Sequence, residues 1–320
     1  MRVASLLPSA TEILFAIGAG PEVVGVTHEC DHPEAARWLP ALTSSAIDHD
    51  GQPCAAIDRH IRGALHGGSS IYRLDETLLA RLRPDLVVTQ ELCEVCAVAY
   101  GQVERAVRRL PGEAEVISLE PSSLDDVLAT MLALGRRTGH LVEAGMAVAA
   151  LRARITAVDA LPPPGPPPAA GAGGPRPTAG SAARPVVACI EWTDPLMAGG
   201  HWVPEMVRRA GGVDPLGREG RRSEYVEWDR VVAVQPDVML LMPCGFGLAE
   251  TLARAAEVTG REGFADLPCA RSGRVVAVDG SGYFNRPGPR IVAGLEIVAA
   301  ALRAEPGDQL PEGAAWVAGG

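Results

Sequence analysis

Short apolar runs of strand length alternate along the chain with segments whose apolar residues recur every three or four positions. These two periods separate a buried strand from an amphipathic helix. Strand-like runs fall at residues 2–6, 22–27, 86–90, 116–119, 186–191, 238–242 and 274–279. Helical spacing occupies 11–17, 57–65, 74–82, 101–109, 122–138, 203–210, 228–234, 248–259 and 290–303. A longer pattern covers 140–161, where Val148, Leu151, Ile155 and Val158 repeat at 3-4-3 spacing. Strand and helix taking turns in this way predict an α/β fold of parallel strands with right-handed crossovers.

The pattern occurs twice. RLRPDLVVTQ (81–90) and VAVQPDVMLLM (232–242) are both a helix end, a Pro-Asp step and a buried strand, while TEILFAIGAG (11–20) and PEMVRRAGG (204–212) are both short helices closed by glycines. The expected organisation is an α/β lobe over 1–139, a bridging helix over 140–161 and a second α/β lobe over 186–303. A Pro/Gly-rich insert over 162–185 has no core-forming period and is expected to be disordered, and 304–320 reads as a loose tail. In the first helix, which opens at Pro8-Ser9, Ser9 is the expected N-cap, with Glu12 completing a capping box.

Composition then prunes the chemistry. With 47% hydrophobic residues in 320, the chain can fill two cores. No apolar run approaches the ~20 residues of a membrane span. The first residues enter a strand directly with no signal-peptide pattern, so the chain as written reads as cytoplasmic, or extracytoplasmic if a leader has been removed. A net charge of −10 argues against nucleic acid as a partner. All 29 basic residues are arginine, which excludes a Walker A lysine, a pyridoxal Schiff base and a lysine general base. Seven scattered cysteines make no disulfide framework, and Cys189, inside an apolar strand, reads as core. There is no G-x-S-x-G, and the GAGG at 171–174 follows no strand.

In open parallel sheets ligands bind beyond the carboxyl ends of strands. Those ends carry Ser9, then His28 and Glu29, then Glu91, Cys93 and Cys96 in the first lobe, and Trp192, His201, Trp202, Phe246, Tyr283, Phe284 and Asn285 in the second. Aromatics are only 4% of the chain, yet most lie here, which suggests either a large apolar ligand or rings that staple loops. His28-Glu29-Cys30-Asp31-His32 spells H-E-x-x-H, a zinc-protease signature on a helix. Here a strand precedes it and Pro33 disfavours helical geometry at His32, so it is expected to be a loop. Cys93-x-x-Cys96 leaves two readings open. It packs a loop, or it joins His28, Cys30 and His32 in a metal site, and a metal-dependent enzyme using His28, Glu29, His32, Cys93 and Cys96 is the corresponding alternative function.

RVASLLPSATEILFAIGAGPEVVGVTHECDHP, LARLRPDLVV, GGHWVPEMVRRAGG and YFNRPGPRIVAGLEIVAAAL together resemble the solute-binding proteins of vitamin B12 and iron-siderophore ABC transporters, the cobalamin-binding branch most. The resemblance covers nearly the whole chain apart from the insert and the tail. It implies the class III periplasmic-binding-protein fold: two Rossmann-like lobes with parallel sheets, bridged by one long helix, with the ligand held between lobes. It also implies a non-enzymatic, monomeric protein with no catalytic residues, a corrinoid such as cobalamin as ligand, and an ABC permease as partner. By resemblance Ser9, His28, Glu29, Tyr72 and Glu91 face the ligand from the first lobe, and Trp192, Trp202, Tyr225, Phe284 and Asn285 from the second; His201 and Phe246 join them from the strand ends. Cobalt contact through His28 or a cysteine is an added expectation. Haem or a ferric siderophore is the alternative ligand, with Arg73 or Arg286 available to it.

Overall fold

The computed structural model describes residues 1–46, 51–66, 71–90, 100–110, 114–165 and 184–318. The chain divides into two compact units. One comprises Met1–Pro121, Asp125–Leu151 and Pro287–Pro289, the other Ser122–Leu124, Arg152–Arg286 and Arg290–Gly320. The helix Leu141–Asp159 begins in the first unit and ends in the second. Among the described residues no helix is long and apolar enough to cross a membrane.

In the first unit β1 (Val3–Ser5), β2 (Val23–Gly25), β5 (Leu86–Thr89) and β6 (Glu115–Ser118) form a parallel sheet in the order β2-β1-β5-β6. β3 (Thr43–Ser45) and β4 (Tyr72–Leu74) pair separately and antiparallel. Every residue of β1 and β5 is buried, as expected of central strands covered on both faces. Ala4, Leu6, Leu42, Leu79, Val87 and Val103 make one core around them.

Two sequence expectations are corrected here. Ser9 caps nothing, because the N-cap is Leu7, two residues earlier, with the helix running over Pro8–Ala16 and no side-chain cap bond. Proline at the first helical position lacks the N–H that would need a cap and already holds a helical φ, so Ser9 falls inside the first turn and is buried. The helix expected from residue 74 starts at Glu76, since Tyr72–Leu74 is strand; Asp75 is its N-cap, accepting from Leu78 N at 2.8 Å.

In the second unit the strands are β7 (Val187–Thr193), β8 (Leu196–Ala198), β9 (Glu224–Tyr225), β10 (Val238–Leu241), β11 (Val275–Val278) and β12 (Ala314–Trp316), ordered β12-β11-β10-β7-β8-β9. β7, β10 and β11 are parallel, and the added β8, β9 and β12 are antiparallel. The segment expected to be a loose tail is therefore corrected: Ala314–Trp316 is an edge strand paired with β11, and Trp316 Nε1 donates to Asp308 O at 2.9 Å. Three residues, two of them alanine, carry too little β signal to be read against a glycine-rich background. The single helix expected over 248–259 is two, Leu248–Arg254 and Ala256–Thr259. The loop expected from residue 280 contains a short helix, Gly280–Tyr283, capped by Asp279, whose Oδ1 accepts from Gly282 N at 2.6 Å.

The Pro/Gly insert falls mainly on residues outside those described, but its flanks are fixed. Arg303 donates to Pro162 O at 2.8 Å and to Ala210 O at 3.0 Å, and Arg184 donates to Arg208 O at 3.0 Å. Both flanks thus meet the C-terminal end of the helix Val203–Arg209, beside the amino end of β7, where Val187 N donates to Val213 O. The carboxyl-end loops of this sheet lie at its other edge.

The internal echo has a common geometry. The helix before each Pro-Asp step ends on a left-handed residue, Arg83 (φ 44°) or Gln235 (φ 48°). The aspartate then reaches across to the first strand of its sheet: Asp85 Oδ2 accepts from Arg2 N at 2.7 Å, and Asp237 Oδ2 from Val186 N at 2.9 Å. The backbone answers in kind, with Asp85 N donating to Arg2 O and Asp237 N to Val186 O, both at 2.8 Å. A charge-assisted bond to a buried partner is worth more than the same bond in water, and Asp237 is buried while Asp85 is exposed. Asp237→Ala is therefore expected to cost about 2–3 kcal/mol in denaturant unfolding and Asp85→Ala about 1 kcal/mol. Equal losses would contradict this account of the repeat.

Candidate functional site

The carboxyl edge of the first sheet is built from β2 and the β3–β4 pair. β2 runs out through Val26 and Thr27 into a turn at His28-Glu29. Cys30 is folded back and buried, its Sγ 3.1 Å from Thr11 Oγ1 and 3.2 Å from Thr27 Oγ1. Thr27 Oγ1 also accepts from Glu29 N at 3.2 Å. These hydroxyls fix H-E-C-D-H as a loop and turn His28 and Glu29 toward β3 and β4. Thr43 Oγ1 lies 2.8 Å from His28 Nδ1 and accepts from His28 N at 3.2 Å. Tyr72 Oη donates to Glu29 Oε1 at 2.9 Å, and its ring stands 5.6 Å from the His28 imidazole. Three predicted residues, His28, Glu29 and Tyr72, thus share one cluster with Thr43. His28 is exposed and Glu29 and Tyr72 half-buried, so the cluster is within reach of a ligand.

Other expected residues of this unit are placed differently. Ser9 is buried in the helix Pro8–Ala16, and His32 and Arg73 are exposed. Glu91, Cys93 and Cys96 lie outside the described residues. Among the described residues no group of three His, Cys, Asp or Glu side chains could hold a metal ion. Thr43 is the member that sequence reasoning missed. It lies in a stretch read as irregular, and the only signal was the Thr-Ser-Ser and Tyr-Arg-Leu pair of three-residue strands.

In the second unit the aromatic residues mostly pack on protein. Trp192, 8% exposed, donates from Nε1 to Asp194 O at 3.0 Å and tilts against Phe246, with centroids 5.5 Å apart. The Arg254 guanidinium covers Phe246 at 5.7 Å. Trp202 Nε1 donates to Phe284 O at 2.8 Å, and Phe284 is 1% exposed. Trp192, Trp202 and Phe284 are thus buried, and the two indoles spend their N–H on backbone carbonyls, which staples the loops. Tyr225 on the edge strand β9 is 51% exposed. Asn285, His201 and Arg286 are half-buried, and Asn285 N donates to Gly280 O at 2.8 Å.

His201 sits in the left-handed region (φ 51°) with its ring 5.4 Å from Trp202. Burial lowers its pKa, and Arg222 lowers it further. Two carboxylates hold the segment leading to Tyr225. Glu191 Oε2 accepts from Ser223 Oγ at 2.8 Å and from Gly200 N at 3.3 Å; burial raises its pKa against the pull of those donors. Asp214 Oδ1 accepts from Leu216 N at 2.9 Å and Gly217 N at 3.1 Å, yet burial pushes its carboxyl up to about 6. Burial and then the Asp214 charge also push the Cys189 thiol well up, consistent with its core position.

The sequence profile of the periplasmic binding protein family matches residues 176–281, within the second unit. No curated protein matches the chain. Among solved structures, the chain is similar to the periplasmic heme-binding protein of Roseiflexus sp. RS-1 in apo form, at 24% identity and a TM-score of 0.65, covering 94% of this chain and 97% of that one. It is also similar to the periplasmic vitamin B12 binding protein of Vibrio cholerae, at 18% identity and a TM-score of 0.63, covering 94% and 96%. An ABC-type Fe3+-hydroxamate transport system of Saccharomonospora viridis matches at 19% identity and a TM-score of 0.62, covering 95% and 93%. The fold is the class III periplasmic-binding-protein fold, α/β with parallel strands at the centre of the sheet in each of two lobes.

Asp214 gives the second unit a measurable pH dependence. Its folded pKa lies above the ordinary 3.8, so the folded state holds the proton more tightly, and the associated stability is complete below about pH 4 and lost as pH rises through about 6. Asp214→Asn keeps the acceptor for Leu216 and Gly217 without the buried charge. The variant is expected to exceed wild type by roughly 2 kcal/mol at pH 7.5 and to match it at about pH 4, read by thermal unfolding across pH. A variant less stable than wild type at pH 7.5 would contradict the cause assigned.

Proposed function

We propose that the protein is a non-enzymatic receptor for a large metal chelate, which it binds through the carboxyl-end loops of its lobes and presents to an ABC-type permease. A corrinoid of the cobalamin kind is the first reading of the ligand. Haem and ferric siderophores are the alternatives, since structures sharing the fold carry names from all three classes. The observation that carries the proposal is the His28–Glu29–Tyr72 cluster at the end of β2. It is accessible and oriented by bonds to its own protein neighbours, the preorganisation a binding site needs to limit ordering costs. Tyr225 and Asn285 are the corresponding accessible polar residues of the second lobe.

The burial of Trp192, Trp202 and Phe284 bears on mechanism. Their rings stiffen the loops, and recognition falls to polar groups at the rim. Specificity then comes from hydrogen bonds that the wrong ligand would leave unpaired, a stronger discriminator than apolar area. Ligand chemistry at this site is binding and release, and no bond is made or broken.

The test is a panel of cyanocobalamin, cobinamide, haem and a ferric hydroxamate, read by visible absorbance and calorimetry. Binding of at least one chelate is expected at micromolar concentration or tighter, with Glu29→Gln and Tyr72→Phe each weakening it about tenfold. No heat and no spectral change with any member at about 50 μM would overturn the proposal.

A further inference from the structure

The carboxyl end of β11 leads into the corner that carries Asn285. Within it Asp279 Oδ1 accepts from Gly282 N at 2.6 Å, and Gly280 O accepts from Phe284 N at 3.0 Å and from Asn285 N at 2.8 Å. The helix Gly280–Tyr283 is a single turn, too short to hold itself in water. Its position depends on what packs against it. From the neighbouring loops, Trp202 Nε1 donates to Phe284 O at 2.8 Å, and Ser281 N donates to Phe246 O at 3.0 Å.

Further support comes from the C-terminal segment just before β12. Asp279 N donates to Gly313 O at 2.8 Å. Gly313 lies in the left-handed region (φ 83°), and a Cβ placed there would overlap Tyr283 Cε2 and stand 2.7 Å from Cδ2. The tyrosine ring therefore lies on bare backbone, in a conformation that glycine adopts without strain. The Tyr283 carbonyl oxygen fills the place of a Cβ on Gly294 in the helix Ile291–Ala301, and the Arg290 guanidinium stands 5.7 Å from the ring centroid. Tyr283 thus touches both that helix and the C-terminal segment, two residues before Asn285.

The segment itself is held by little. Among the described residues β12 is an edge strand whose one strand neighbour is β11, pairing Val276 with Trp316, Ala277 with Ala315 and Val278 with Ala314. Val317 N adds a bond to Val275 O at 2.9 Å. The buried cluster that runs from Ala188 to Val275 takes Val317 from this segment, and that at its margin. Short elements with few buried contacts open most readily, and what they support opens with them.

We propose that the C-terminal segment is a strap whose closure sets the affinity of the second lobe, with Gly313 positioning Tyr283 and, through it, Asn285. This rests on the reading of the protein as a chelate receptor that binds through its carboxyl-end loops. Coupling between two sites is reciprocal. Whatever factor the closed strap adds to ligand affinity, the bound ligand returns as protection of the strap.

Amide hydrogen exchange of the unliganded protein tests the strap first, independently of any ligand. Val317→Pro removes the N–H that bonds Val275 O and leaves the corner untouched. In this variant the Phe284 and Asn285 amides are expected to exchange at least tenfold faster, with Met242, bonded to Ile190 O, unchanged. Corner amides that exchange as in wild type overturn the proposal. Calorimetric titration follows, with cyanocobalamin, or with haem if that is the chelate that binds. Val317→Pro and Gly313→Ala should each bind about tenfold more weakly, and the saturating chelate should slow exchange of the wild-type Val317 amide by the same factor. In a Tyr283→Ala background, Gly313→Ala should weaken binding by no more than about twofold further, a coupling that a general loss of stability would not produce. Both variants within about threefold of wild type, or a chelate that leaves the Val317 amide unprotected, would overturn the inference and leave the receptor reading intact. If no chelate binds at all, the receptor reading fails and the strap inference falls with it.

Discussion

Each lobe depends on one aspartate that ties the start of its second central strand to the start of its first. Asp85 and Asp237 each accept from a backbone N–H at the start of the neighbouring strand and return a backbone N–H to the same residue. A parallel pair has no tight turn to set its register, so something else must. The paired bonds set it at the amino end, the buried strands carry it unchanged, and the carboxyl-end loops emerge at fixed heights. In the first lobe that is the Leu6–Ser9 corner, where Leu6 N donates to Val88 O at 2.8 Å, and in the second it is Glu191 beside Met242, whose N donates to Ile190 O at 2.9 Å. A slip of one residue would exchange the two faces of a strand that is buried on both, so the site's geometry rests on this anchor.

Beyond the strands, hydroxyls and carboxylates take over the positioning. Thr11, Thr27 and Thr43 orient the His28 loop, while Glu191 and Asp214 hold the segment that leads to Tyr225. The two strategies differ in cost. The threonine cluster is neutral and fully paired. The carboxylates of the second lobe carry buried charge, and their raised pKa values measure what burial costs them. Stapling by Trp192 and Trp202 adds rigidity without charge, each indole spending its N–H on a loop carbonyl.

The architecture was legible in the sequence because its central strands are continuous apolar runs and its helices keep their period. The Pro-Asp echo was visible as letters, and its meaning, a register anchor, needed coordinates. Short elements escaped. Thr43–Ser45, Tyr72–Leu74, Glu224–Tyr225 and Ala314–Trp316 are two- or three-residue strands whose pairing comes from neighbours distant in sequence, and no local period of that length rises above its flanks. Ser9 was misread as a cap because proline at the first helical position removes the need for one. At the site, residue types at strand ends singled out His28 and Glu29 and the family resemblance added Tyr72, and the structure gathers the three in one cluster. Trp192, Trp202 and Phe284 are all buried, and composition cannot distinguish a ring that faces a ligand from one that closes a loop.

The claim that ligand recognition belongs to the carboxyl-end loops is tested most directly by hydrogen–deuterium exchange of the full chain with and without a bound chelate. Protection is predicted at residues 26–30 and 72–74, with Arg208, Gly211 and Val213 at the opposite edge of the second sheet unchanged. Protection centred on that opposite edge, with the His28 turn unaffected, would contradict it.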